Sequence, residues 1–251
     1  MSSGSLMGKG VLVGGGAKNL GGLVSRTFAR RGARIVVHYN SDATKAAADE
    51  TVAAISGAGG EAFAIQGDFT KAANVREVFE EGKKRFGGLH IAINTVGKVL
   101  RKPIVETTEA EYDEMAAVNA KAAFFFVKEA GRNLEEGGKI VTIVTSLLAA
   151  FTDGYSTYAG GKAPVEDFTR AAAKEFAPRR ISVNALGPGP METPFFYGQE
   201  TPERVAYHKS QAMGNQLTRI EYIVPILEHL VTDGWWITGQ TIFANGGYTT
   251  R

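Results

Sequence analysis

Residues 10–22 read GVLVGGGAKNLGG: a short apolar run, a turn crowded with glycine, and the start of a segment with helical spacing. Val11, Leu12 and Val13 are apolar in succession, so a strand built from them is covered on both faces, as strands of parallel sheets are. Glycines let the chain turn tightly and let an anion reach the free N–H groups at the start of the next helix, whose dipole favours negative charge. A strand that runs through such a turn into a helix is the opening unit of a nucleotide-binding α/β fold. No Gly-Lys-Ser or Gly-Lys-Thr closes the turn, which excludes a P-loop.

Working outward, the same alternation fills the chain. Short, largely apolar runs occur at 34–39, 61–68, 89–97, 139–145, 181–189 and 240–247, and helical periodicity holds over 20–31, 43–56, 72–86, 109–133, 156–177 and 220–231. Seven strands alternating with helices predict an α/β protein with a Rossmann-type, doubly wound parallel seven-stranded sheet and helices on both faces. No linker or repeat divides it, so 10–251 is expected to be one domain, preceded by a disordered or appended tail over 1–9. Residues 187–216, rich in Gly, Pro and aromatics, follow a strand's carboxyl end and are expected to form a substrate-binding lid.

The composition narrows the function. Lysine plus arginine number 28 against 26 aspartate plus glutamate, a formal charge of +2 that is no footprint of a nucleic-acid binder. The absence of cysteine excludes disulfides and thiolate nucleophiles and fits a cytoplasmic location. No apolar leader and no run of eighteen apolar residues is present, so no membrane span is expected. His90, His208 and His229 lack metal-ligand spacing and His38 lies in a strand, so all four are read as structural or surface residues and no metal is expected. The stretch AAFFFVKEA (122–130) reads as a buried helix interface, and Trp235-Trp236 as packing at a subunit contact.

Two local patterns carry chemistry. The second strand ends VVHYNSD, placing Tyr39, Asn40 and Ser41 where a carboxylate would hold an unphosphorylated ribose, with Lys18 in the glycine turn; these groups favour a 2′-phosphate, hence NADP(H), although Asp42 is close by. In YSTYAGGK (155–162), Tyr158 has Lys162 one helical turn away while Tyr155 has Ala159. A lysine so placed is expected to lower the phenol pKa and make Tyr158 a usable proton donor and acceptor.

The glycine turn, NTVG at 94–97, Asn119, TS at 145–146, Tyr158-x-x-x-Lys162 and GPG at 187–189, in that order, resemble the short-chain dehydrogenase/reductase family over nearly the whole chain, from Val11 to Gly247. The family's Thr-Gly-x-x-x-Gly-x-Gly turn falls on residues 14–21, with Gly14 in place of threonine and Asn19 in place of glycine. Asparagine best tolerates the left-handed conformation among non-glycine residues, so the turn is expected to survive. The resemblance implies a cofactor site formed by Gly15, Lys18, Asn19, Leu20 and Gly21 in the turn, and by Tyr39, Asn40 and Ser41 at the ribose edge. It further implies Asp68 and Phe69 at the adenine, and Asn94, Val96 and Gly97 along the adenine ribose. Tyr158 and Lys162, with Pro188, Gly189, Met191 and Thr193, would meet the nicotinamide half.

The catalytic set implied by the resemblance is Asn119, Tyr158, Lys162 and a hydroxyl after the fifth strand, for which Ser146 is chosen and Thr145 is the alternative. The activity implied is NADP(H)-dependent reduction of a ketone by hydride transfer, with Tyr158 as general acid/base, Lys162 lowering its pKa, and the Asn119 carbonyl holding a water near a helix distortion. Alternatives are a catalytically silent NADP(H) sensor, which needs no proton relay, and a pteridine or enoyl reductase; enoyl reductases usually depart from the Tyr-x-x-x-Lys spacing. Val99, Leu147, Phe151, Tyr155, Phe195, Phe196 and Tyr197 are expected to line the pocket for a small carbonyl substrate. The family also implies a homo-oligomer, a dimer or tetramer.

Overall fold

A computed structural model describes residues 5–150 and 152–250 of the chain. The opening unit is β1 (Gly10–Gly14) running into α1 (Asn19–Arg30), followed by β2 (Arg34–Tyr39), α2 (Lys45–Gly57), β3 (Glu61–Gln66), α3 (Ala72–Phe86) and β4 (Leu89–Asn94). The second half contains α4 (Glu109–Ala116), α5 (Ala122–Asn133), β5 (Leu134–Ile143), α6 (Ser156–Lys162), α7 (Pro164–Glu175) and β6 (Ser182–Pro188). It closes with α8 (Pro194–Tyr197), α9 (Pro202–Ser210), α10 (Ile220–Val231) and β7 (Thr241–Ala244). The seven strands pair in parallel in the order β3-β2-β1-β4-β5-β6-β7. The chain reverses direction across the sheet between β1 and β4, and ligands of open α/β sheets bind beyond the strand ends at such a switch point.

The two-residue period of the strands divides the core into two layers. Val11, Val13, Ile35 and Val37 pack on one face with Phe28 of α1, Ile55 of α2 and Leu227 of α10. Leu12, Val36 and Ala92 pack on the other face with Phe79 of α3, Phe126 of α5 and Ala172 of α7. Each buried phenylalanine contributes roughly 1.5–3 kcal/mol, which fixes the strand ends that carry the site.

Several elements differ from the sequence reading. The helix expected over 109–133 is interrupted by a π-turn at Ala117–Lys121. The one expected over 156–177 divides at Pro164, which lacks an N–H and suits a first helical position. In β5 regular pairing with β4 begins only at Lys139, after an irregular stretch. Of the tail expected over 1–9, residues 1–4 lie outside the described residues, but the remainder belongs to the fold. Leu6 is buried in the core, and the Arg34 N–H donates to the Lys9 carbonyl at 2.9 Å. Two adjacent apolar residues, Leu6 and Met7, in a polar stretch show no periodicity by which to be recognised.

Ala122, Ala123 and Phe126 are buried as expected, but Phe124 turns outward to meet Phe168, and Trp236 projects into solvent. Among the described residues no helix is long and apolar enough to cross a membrane.

Candidate active site

The glycine turn folds as its sequence requires. Gly15 and Asn19 both hold left-handed backbone, at φ of +72° and +49°, so the asparagine substitutes for glycine as expected. A Cβ on Gly21 would stand 2.1 Å from the Gly15 carbonyl oxygen, so no side chain fits between turn and helix.

His38 braces this turn from below. The Gly15 N–H donates to Nδ1 at 3.0 Å, and Nε2 lies 2.7 Å from the Gly67 carbonyl. A carbonyl only accepts, so the proton sits on Nε2 and Nδ1 is the acceptor. Burial pulls the imidazole pKa down to about 4, which keeps the ring neutral. The ring also stacks on Phe69, with centroids 3.6 Å apart. His38 is therefore part of the site rather than a plain strand residue, and nothing local in the sequence marks it.

A groove of about 840 Å³ runs from this turn across the sheet edge to Tyr158. Gly15, Lys18, Asn19, Leu20 and Gly21 line its first part, and Tyr39, Asn40, Asp68 and Phe69 its next. Val96, Gly97, Lys162, Tyr158, Met191 and Thr193 line the rest. Four expected residues are elsewhere. Ser41 does not line the groove; its carbonyl accepts from the Thr44 N–H at 2.8 Å and its N–H donates to Thr44 Oγ1 at 3.4 Å, and Thr44 faces the groove instead. Asn94 is buried behind the wall, where Oδ1 accepts from the Val96 N–H at 3.0 Å. Pro188 and Gly189 face a second cavity. The Asp68 carboxylate accepts from the Thr70 hydroxyl at 2.6 Å and the Thr70 N–H at 3.0 Å, bonds that hold its pKa below the usual carboxylate range.

At the far end of the groove Tyr158 stands beside Thr145, whose hydroxyl interacts with the phenol. Ser146, the residue expected there, turns its Oγ toward the Gly187 carbonyl at 3.4 Å. Thr145 caps the short 3₁₀ turn at Ser146–Leu148, its Oγ1 accepting from the Leu147 N–H at 3.2 Å, and both hydroxyl residues line the second cavity. Burial pushes the Tyr158 phenol up to about 12, with the Thr145 hydroxyl acting in the opposite direction. Lys162 does not lower it as the helical spacing led us to expect. Its Nζ donates instead to the Val96 and Ile143 carbonyls at 3.1 and 3.0 Å, and burial brings its own pKa down to about 8.

Asn119 sits in the π-turn, which supplies the expected helix distortion. Its amide grips Lys98 on both sides: Nδ2 donates to the Lys98 carbonyl at 2.9 Å and Oδ1 accepts from the Lys98 N–H at 3.2 Å. This ties the π-turn to the loop after β4. Gly97 and Gly161 pass close to the Asn119 side chain, so α6 and the loop after β4 pack around it.

The second cavity, of about 80 Å³, opens on the other side of Tyr158. Val99, Leu147, Phe195 and Phe196 give it the expected apolar lining, whereas Tyr197 is turned toward Glu192 and Phe151 lies outside the described residues. Its far wall is polar: Tyr155, expected in the lining, is joined there by the unexpected Gln199, Glu200, His208 and Tyr248. The Glu200 side chain is wholly buried, accepting from Tyr155 Oη at 2.5 Å and Arg204 Nε at 3.0 Å. His208, read from sequence as structural, thus belongs to this pocket.

Comparison with known proteins adds an independent line. A family model described as enoyl-(acyl carrier protein) reductase matches residues 15–249. A hydroxynaphthalene reductase-like protein, Arp2, of Metarhizium brunneum is 35% identical over 98% of this chain and 97% of its own length. Among solved structures, a putative dehydrogenase from Burkholderia cenocepacia with bound NADP superposes with a TM-score of 0.97 at 60% identity, covering 100% of this chain and 97% of that one. The angucycline C-6 ketoreductase LanV with bound NADP does so with a TM-score of 0.90 at 29% identity, over 98% of each chain.

Proposed function

The chain belongs to the short-chain dehydrogenase/reductase family, and from that premise we propose that it reduces the carbonyl group of a small ketone to an alcohol with NADPH. The observation that carries this reading is the position of Tyr158, which lines both the groove and the second cavity and has the Thr145 hydroxyl against it. Two hydroxyl groups converging at the junction suit one oxygen on which charge develops.

The groove fits the cofactor that the Burkholderia and LanV structures hold. Its glycine cradle leaves no room for a Cβ at Gly15 or Gly21, and the buried Thr193 hydroxyl, with no partner of its own, faces the junction where a carboxamide would meet it. Lys18 and Asn40, both exposed on the rim, with Thr44 beside them, would hold the 2′-phosphate. NADPH bound there supplies hydride from its nicotinamide ring.

The chain's own residues then handle the proton. Tyr158, with its pKa raised by burial, keeps its proton at neutral pH and gives it to the developing alkoxide. Thr145 donates a hydrogen bond to the same oxygen. Lys162 holds the loop after β4 through the Val96 carbonyl. Asn119 locks that loop to the π-turn, whose carbonyl would hold a water that restores the proton. Residues 187–216 act as the lid, with Phe195 and Phe196 excluding water from above.

Enoyl reduction, which the description of the matching family suggests, is disfavoured because Tyr158 and Lys162 stand four residues apart, a spacing from which enoyl reductases usually depart. The exposed Phe124 and Trp236 support assembly into a homo-oligomer, which a sizing experiment in solution tests. For the reaction, NADPH oxidation is followed over ketones, diketones, enoyl thioesters and quinones. Turnover of ketones is expected; turnover confined to enoyl thioesters, or none with any carbonyl compound, would overturn the proposal.

A further inference from the structure

Resting on the ketone-reductase reading, we propose that the far wall of the substrate pocket is a hydrogen-bond acceptor site, built by Tyr155, His208, Tyr248 and Glu200, which selects neutral hydroxyketones. The argument follows the protons outward from the buried carboxylate. Glu200 only accepts hydrogen bonds. Tyr155 Oη lies 2.5 Å from Glu200 Oε1, so the single phenolic proton of Tyr155 is committed to the carboxylate. His208 Nε2 lies 3.3 Å from the same oxygen and must carry the proton there. Burial lowers the His208 pKa, so the ring is neutral and Nδ1 is bare. Tyr248 Oη, 2.8 Å from Nδ1, therefore gives its proton to the imidazole.

Tyr155 and Tyr248 both line the pocket, and with their protons committed their phenolic oxygens keep lone pairs alone. The arrangement is held firmly. Arg204 Nε donates to Glu200 Oε2 at 3.0 Å, Arg101 Nε stands 3.8 Å from it, and both guanidinium groups also engage Asp153. Of the other polar groups at this end, Gln199 Oε1 accepts from the Arg101 N–H at 3.1 Å and Thr152 Oγ1 from Arg204 Nη2 at 3.4 Å.

The pocket wall thus carries two kinds of polar group. Tyr158 and Thr145 offer protons at the junction with the groove, Leu147, Phe195 and Phe196 are apolar lining, and Tyr155, whose ring meets that of Tyr158 edge-on at 6.3 Å, accepts together with Tyr248. The complementary substrate carries a carbonyl at one end and a hydroxyl, or another neutral donor, at the other. A second carbonyl would face lone pairs, and a carboxylate would also face the buried Glu200 charge.

The test compares 4-hydroxycyclohexanone, cyclohexane-1,4-dione and 4-oxocyclohexanecarboxylate as substrates with NADPH, and measures their binding to the NADP⁺-saturated enzyme by calorimetry. A preference of about tenfold for the hydroxyketone is expected from one well-placed hydrogen bond, residing in KM rather than kcat. In Glu200→Gln the amide can donate to Tyr155 and release its proton into the pocket, so the preference collapses toward unity. Tyr155→Phe removes the acceptor and has the same effect, which keeps the proposal falsifiable should the first variant fail to fold. A wild-type enzyme that binds the dione or the carboxylate as well as the hydroxyketone overturns the inference, as does an unchanged preference in both variants. Ranked binding without turnover breaks the reductase reading and leaves the acceptor site standing; turnover without ranking does the reverse.

Discussion

The groove and the pocket meet at Tyr158 but are built from different materials. The turn end of the groove is built by backbone, with left-handed Gly15 and Asn19, the close pass of Gly21, and a neutral His38 holding the turn from behind. The pocket is walled by side chains, and its polar end depends on ions brought together from residues 101, 153, 200 and 204. Backbone geometry changes little with sequence, so the groove suits one fixed ligand. Side-chain identity changes freely, so the pocket is where selectivity can be set. The two are coupled through Tyr158 and Thr193, which line both.

Breaking the junction between the two regions has the largest expected effect. Tyr158→Phe removes one proton and keeps the ring, so turnover should fall by about 10³-fold or more while NADPH affinity, measured by fluorescence titration, stays near the wild-type value. Equal loss of binding and turnover would mean that Tyr158 belongs to the groove alone. Next comes the hydroxyl beside it. Thr145→Ala should cost about 10²-fold in kcat, as loss of an oxyanion donor does, and Ser146→Ala much less, because Ser146 turns toward Gly187. The reverse ranking in steady-state kinetics would return the role to Ser146.

The choice between these two hydroxyls shows what the sequence could carry. The strand and helix order, the glycine turn and the Tyr158–Lys162 spacing are local patterns with a period, and they are legible residue by residue. Whether Thr145 or Ser146 meets the phenol depends on how a short 3₁₀ turn aims adjacent side chains, which no periodicity reports. The far wall of the pocket was less legible still. Glu200, His208 and Tyr248 reach it from a helix entry, a helix end and the segment after β7, and only the folded lid brings them beside Tyr155. His38 was hidden in the same way, because its partner Gly67 is twenty-nine residues away.

The groove can be loosened through that histidine. Folded His38 has a pKa of about 4 against an ordinary 6.5. As pH falls below 6.5 the unfolded chain takes up this proton first, so the stability tied to neutral His38 is complete above 6.5 and is lost progressively toward 4. The full loss corresponds to about 3 kcal/mol. Urea unfolding of the wild type and of His38→Asn across this range should show a steeper acid decline in the wild type. Parallel curves would show that His38 does not carry the acid sensitivity of the turn.

The smallest effect sharpens the comparison at the groove's outer rim, which is made by side chains. Lys18 and Asn40 are exposed there, and Thr44 lies beside them. A charge-assisted contact to a 2′-phosphate is worth roughly 1.5–3 kcal/mol, so kcat/KM should favour NADPH over NADH by about one to two powers of ten. Solvent and salt screen an exposed lysine, which places Lys18→Ala toward the lower end of that range. Asn40→Asp sets a carboxylate beside the phosphate position and should reverse the preference by repulsion while leaving kcat with NADH intact. If both variants keep the NADPH preference, the 2′-phosphate is held by the backbone-lined part of the groove. The rim would then be as insensitive to side-chain identity as the glycine turn, and the contrast between groove and pocket would extend along the whole cofactor site.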